Sequence, residues 1–190
     1  METFLSIALG IGLAAACGFR VFVPLLMLNL AAQGGQIALP DAFAWMGSTS
    51  ATIAFAVATA AEILGYYIPW LDHALDTIAT PAAVIAGTLT TAAVVTDIPP
   101  FIKWTMALIA GGGIAGLVQT SSVALRAKST LTTGGAGNPV LATLELAGAI
   151  MTGLMAIFLP LVCLALLILF LIWILRKGLR FLSARGKAQS

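Results

Sequence analysis

The thirteen residues AAACGFRVFVPLL, Ala14–Leu26, place one arginine inside an apolar run that extends from about Phe4 to Ala32. At 1.5 Å per residue an unbroken helix over that run would measure ~43 Å, against a hydrocarbon core of ~30 Å. It must tilt strongly or break. The break is expected within CGFRVFVP. Gly18 lowers helix propensity, and Pro24 has no N–H to give to the carbonyl of Arg20. The freed carbonyl must find another donor or line a cavity. A guanidinium at the centre of a span costs ~2.5–3.5 kcal/mol on insertion scales. Arg20 therefore faces inward, toward something negative.

Working outward, the rest of the chain is equally apolar. Of its 190 residues, 61% are hydrophobic and 8% charged, and the mean hydropathy is +1.08. A soluble domain is about 25% charged, so this chain cannot cover a water-facing surface and is read as an integral membrane protein. A net charge of +2 is no nucleic-acid signature, because five of the nine basic residues (Arg176, Lys177, Arg180, Arg185, Lys187) sit in the tail as a topology signal. Cys17 and Cys163 show no paired spacing, which argues against a disulfide framework or a metal site. The run LAAAC ending at Cys17 resembles a lipoprotein signal but lacks a positive n-region, so it is read as the start of the first membrane helix.

An all-α fold of about six spans is expected: 4–32, 51–70, 77–96, 101–125, 139–158 and 159–175. The stretch DIPP ends the third, and Pro139 opens the fifth. Trp45 suits an interface. With the basic tail in the cytoplasm, six spans put the N-terminus there too, along with Arg126 and Lys128 in the polar stretch RAKSTLTTGGAGN. The segments 33–50 and 97–100 fall outside and carry no Lys or Arg.

The halves echo one another. At an offset of 99, Gly12 meets Gly111, Arg20 meets Gln119 and Gly35 meets Gly134. At an offset of 83, ATAAEILG (Ala58–Gly65) matches ATLELAG (Ala142–Gly148), and each places a glutamate, Glu62 or Glu145, three residues before a glycine. Three spans per half would orient the halves oppositely, a 3+3 inverted repeat. One bundle is therefore expected, with half-repeats at 1–97 and 98–178 and a basic cytoplasmic tail at 179–190.

GFRVFVPLL (Gly18–Leu26), EILGYYIPWLDHALDTIATPAAVIAGTL (Glu62–Leu89) and GNPVLATLELAG (Gly137–Gly148) resemble a bacterial membrane family catalogued only as a domain of unknown function. The shared patterns are G-x-R-x-x-x-P, E-x(6)-P-x-x-D-x-x-x-D and N-P-x(5)-E. The resemblance implies a fold and no activity. It marks Gly18, Arg20, Pro24, Glu62, Pro69, Asp72, Asp76, Asn138 and Glu145 as family positions. Where that family tends to show His and Lys in the fourth span, this chain has Gln119 and Ser122.

Each polar residue has a functional and a structural reading. Arg20 is either an anion site or half of a salt bridge to Glu62 or Glu145. The glutamates are either proton carriers or neutral pins at the small-residue contacts of Gly65 and Gly148. Asp72 and Asp76 lie one turn apart. They could hold a cation with His73, although a dipole-favoured helix start is the simpler account. Asn138 is placed at an N-cap. AGGGIAG (Ala110–Gly116) is a close-packing face, or with QTSS a second break. No Ser-His-Asp set, HExxH or haem-ligating pair is present, so no enzyme and no cofactor are expected.

Two functions remain. One is a small transporter or channel of the inner membrane for an anionic or lipid-like substrate. Arg20, Glu62, Glu145, Gln119, Asp72, Asp76 and Asn138 would then serve binding or proton coupling, and Gly18 and Pro24 would break the helix. The other is a structural or accessory membrane protein whose buried charges hold the bundle. Membrane lipids are the expected partners. A homo-oligomer is compatible with so small a bundle, and nucleic acid is not expected.

Overall fold

The computed structural model describes residues 2–187, with the side chains of positions 69, 70, 72, 73, 174, 175 and 177–187 excepted. The fold is a bundle of α1 (Glu2–Phe19), α2 (Phe22–Gln33), α3 (Thr49–Gly65), α4 (Pro69–Val94), α5 (Pro100–Met106), α6 (Gly113–Thr133), α7 (Asn138–Phe158) and α8 (Pro160–Lys187), with no strand among the described residues. A 3-10 turn, Asp41–Gly47, precedes α3 at an angle of 60°. A π turn, Ala107–Gly112, joins α5 to α6 without a break.

Among the described residues four stretches are long and apolar enough to cross a membrane: Glu2–Phe19, Ala74–Val94, Pro100–Thr133 and Asn138–Phe158. Taken as one span, the bent pair ending at Gly65 is a fifth. Local chemistry sets their ends. The Ser48 side chain accepts from Ala51 N at 3.2 Å to start α3. Pro69, Pro139 and Pro160 stand at helix starts, where a missing N–H costs nothing. Gly134, with φ 64°, closes α6 in the left-handed conformation.

The decisive feature is at Arg20. The chain breaks there as the sequence predicts, with Arg20 and Val21 outside both helices. It does not merely kink, however; it turns back. Before the break, Phe19 lies against Gly148 and Gly12 against Ala156. After it, Met27 lies against Gly153. Thus α1 runs antiparallel to α7 and α2 runs parallel to it, and the stretch expected to be a single span, broken or strongly tilted, is a helical hairpin. Pro24 falls in the first turn of α2, where its lacking N–H is harmless. The short turns at 66–68 and 134–137 lie at the end toward which the hairpin tip points, here called the turn end. The segments at 34–40 and 95–99 meet at the other, the loop end, where residues 38–40 and 95–98 line one cavity.

This corrects two expectations. The start of α1 lies at the loop end and the far end of α8 at the turn end, so the two ends of the bundle chain are not on one side. In addition, Gly18 packs on Ala115 and Val118 with α1 and α6 running in the same direction. The offset-99 partners therefore lie on parallel helices, which an inverted repeat forbids. Glu62 and Glu145 do lie on oppositely directed helices, so the two echoes differ: the offset-83 match reverses helix direction and the offset-99 match does not.

α1 is the axle of the bundle. Leu13 through Cys17 are fully buried, and the helix packs on α4, α6, α7 and α8. Its neighbours approach at glycines. A Cβ on Gly18 would sit 2.6 Å from the Ala115 carbonyl oxygen, and one on Gly87 2.6 Å from Ala115 Cβ. Close backbone approach of this kind is how helices associate where the hydrophobic effect is absent. The far end of α2 is tied by Asn29, fully buried, which donates to Met46 O (2.6 Å) and Ser48 O (3.1 Å) and accepts from Thr52 Oγ1 (2.8 Å).

Candidate functional site: a buried arginine–carboxylate cluster

The hairpin tip meets four helices. Glu62, near the end of α3, accepts hydrogen bonds from the backbone N–H of Val21 (2.8 Å) and Phe22 (3.0 Å). These are orphan donors at the start of α2, and a carboxylate there also meets the positive end of the helix dipole. Glu62 is therefore a cap supplied from another helix.

Arg20 is 1% exposed. Its Nη2 donates to the Ala142 carbonyl (2.9 Å) and lies 3.5 Å from Glu145 Oε2. Its Nε and Nη1 have no hydrogen-bond partner among the described residues. Of the two glutamates offered as its ion-pair partner, the recorded salt bridge is to Glu145.

Glu145 has a second and closer cation. Arg126, from α6, grips it bidentately through Nε (3.0 Å) and Nη2, and Ser122 Oγ donates to the same carboxylate. Arg126 Nη1 also lies 3.6 Å from Asp76 Oδ1 of α4. Both guanidiniums lie over the Tyr66 ring, with Cζ 3.8 Å from its centroid for Arg20 and 4.0 Å for Arg126. Stacking of this kind holds a cation where water is scarce. Arg126 stands seven residues before the end of α6, and Glu145 seven after the start of α7. At 1.5 Å per residue the cluster is ~10 Å inside the turn end.

Three cavities reach the cluster. A polar cleft of about 380 Å³ at the turn end is lined by Asp76, Thr80, Arg126, Thr130 and Asn138. A pocket of about 420 Å³ places Glu62 and Tyr66 among apolar residues including Leu71, Leu75 and Ile78. A third, of about 200 Å³, places Ser122 and Glu145 among Phe19, Leu125, Leu144 and Phe170. Ile78, Leu125 and Leu144 are exposed, so the two apolar pockets open on the flank of the bundle.

Among the residues singled out in the sequence, Arg20, Glu62, Glu145 and Asp76 are brought together. Gln119 is buried on α6, one turn before Ser122, and takes no part in the ion pairs among the described residues. Asn138 is the first residue of α7 and not its N-cap, which is Gly137; its Nδ2 donates to Thr130 Oγ1 at 3.2 Å, at the mouth of the polar cleft. Asp76 lies in the second turn of α4, which starts at Pro69 and not at position 77, so it does not mark a helix start. The side chains of Asp72, His73 and the basic tail 179–190 lie outside the described residues. Among the described residues no group of three potential metal ligands occurs.

Sequence reasoning missed Arg126 and Tyr66. Arg126 falls in a polar stretch expected to be a cytoplasmic loop, but α6 continues to Thr133 and leaves Arg126 3% exposed. Tyr66 carried no signal of its own, since its role comes from two cations that arrive from distant segments. No curated protein and no solved structure matches the chain. One family does match, over residues 7–178, and by that match the chain belongs to the domain of unknown function DUF4126.

Proposed function

We propose that this is a small multi-pass transporter of the inner membrane that moves an anionic, lipid-like substrate with proton coupling. The carrying observation is that Arg20 is almost fully buried while two of its guanidinium nitrogens have no hydrogen-bond partner among the described residues. Burying such donors costs free energy that a purely structural arginine would recover. The cavities fit an amphiphile: a polar cleft beside Arg126 takes a headgroup, and the flank pockets take a chain. Lys128 and Arg176 belong to the turn-end half of their helices, which favours the cytoplasm for that end. The start of α1 then faces the opposite side.

The test is reconstitution in phosphatidylcholine vesicles carrying a trace of fluorescent phosphatidylglycerol, with sulfate flux measured in parallel. Protein-dependent movement of the lipid that Arg20→Gln abolishes without lowering the melting temperature supports transport. No movement of either probe, together with a large loss of melting temperature in Arg20→Gln, would refute it. That second result supports a structural role, in favour of which Glu62 already spends both carboxylate oxygens on capping α2.

A further inference from the structure

Resting on the transport reading, we propose that Glu145, and not Glu62, is the coupling residue. The substrate anion takes the place of the Glu145 carboxylate on Arg20 and Arg126, and Glu145 leaves as the neutral acid. One proton from water then travels with each anion, and the pair crosses without net charge.

The two glutamates look alike in sequence and differ in what they hold. Glu62 is bonded to the main chain of the hairpin tip. An incoming anion cannot replace it without breaking into the start of α2. Glu145 is bonded to side chains, and they are the two guanidiniums an anion would seek. The groups facing Glu145 are Arg20 from the hairpin tip and Ser122 and Arg126 from α6. Behind these stand Asp76 of α4, paired with Arg126, Glu62 of α3, and Tyr66 in the turn that follows α3.

With all of them ionised, three carboxylates outnumber two guanidiniums. An added anion would deepen that excess in a medium of low dielectric. Exchanging one carboxylate for one anion leaves the charge unchanged, provided the displaced carboxylate is protonated. Its surroundings require that. Away from the arginines, Glu145 has the Ser122 hydroxyl and a pocket of Phe19, Leu125, Leu144 and Phe170. An ion there is unpaired, whereas a carboxylic acid is tolerated.

The experiment measures binding of octanesulfonate and methanesulfonate to detergent-purified protein between pH 5.5 and 7.5. Both probes keep their charge throughout, so any pH dependence belongs to the protein. Uptake of one proton per anion makes the octanesulfonate Kd rise about tenfold per pH unit. Glu145→Gln should bind at least about tenfold more tightly at pH 7.5, without slope, whereas Glu62→Gln and Asp76→Asn keep the slope. Equal binding of methanesulfonate with the same slope keeps the coupling and assigns a small anion in place of an amphiphile.

A flat wild-type profile, or a slope that survives in Glu145→Gln, overturns the coupling assignment and leaves the transport reading standing. No binding of either probe overturns both. If Glu145→Gln does not fold, dicyclohexylcarbodiimide, which attacks protonated membrane carboxyls, gives the readout on wild-type protein. Octanesulfonate should raise modification of Glu145 and not of Glu62. Unchanged or lowered modification of Glu145 overturns the proposal.

Discussion

Glu62→Gln tests whether the break at Arg20 is held open by its cap. In the native chain two backbone donors, Val21 N and Phe22 N, each have one carboxylate oxygen. Glutamine keeps one oxygen and turns an N–H toward the other donor. A lost N-cap costs ~0.5–2 kcal/mol, and a buried donor left unsatisfied costs ~1–3 kcal/mol. Glu62→Gln, which strands one donor, should therefore cost about 2 kcal/mol, and Glu62→Ala, which strands both, about 4 kcal/mol. At roughly 2–4 °C per kcal/mol for a chain of this size, the glutamine variant should melt about 4–8 °C below wild type. The assay is thermal unfolding in detergent, with amide exchange read at the start of α2. The expected pattern is local: the amides of Val21, Phe22, Val23 and Leu25 exchange faster, while those of α6 and α7 hold. A melting temperature within about 1 °C of wild type, with exchange at Val21 and Phe22 unchanged, would refute the cap.

The glycine contacts make an internal comparison. Gly18→Ala drives a methyl to 2.6 Å from the Ala115 carbonyl and should lower stability by about 1–3 kcal/mol, whereas Gly113→Ala, with nothing within 4 Å, should be neutral or stabilising by about 0.4–1 kcal/mol; thermal melts of the pair decide. Arg126→Met removes the bidentate partner of Glu145 and should cost about 3–5 kcal/mol, while exposed Lys128→Met should stay within about 0.5 kcal/mol. Equal effects in those two melts would place Arg126 in solvent. Asn29→Leu removes the side-chain donor that reaches the Met46 carbonyl and one of the donors to Ser48 O and should loosen the loop end, seen as faster exchange in residues 41–52 with the cluster at the turn end unaffected.

Much of this was legible in the sequence, for reasons that differ by residue. The break was readable because Gly18 and Pro24 act locally, through propensity and a missing donor. Its angle was not, because that is set by Glu62, 41 and 40 residues away from the two donors it caps. Hydropathy found the α7 limits almost to the residue, since Pro139 and the apolar run share one boundary. It failed for α6, where helix and apolar run part company: Lys128, Ser129 and three threonines (Thr130, Thr132, Thr133) are poor membrane residues but continue the helix to Thr133. Arg126 was lost in that mismatch. The paired glutamates suggested a symmetry, and the packing of Gly18 on Val118 shows that the offset-99 echo between α1 and α6 does not extend to helix direction.

The fold-back also has a consequence for synthesis. The carbonyl that receives Arg20 belongs to Ala142, 122 residues later in the chain, and its ionic partner Glu145 follows that. At roughly 5–20 residues per second, about 6–24 s pass between the two leaving the ribosome. Glu62 arrives earlier and can fix the hairpin tip, but the guanidinium waits. During that interval a charge is lodged in the insertion machinery or among lipid headgroups, and the first hairpin is a segment the membrane can reject. Commitment of the first helices to the bilayer is thus decided by the last ones to be made.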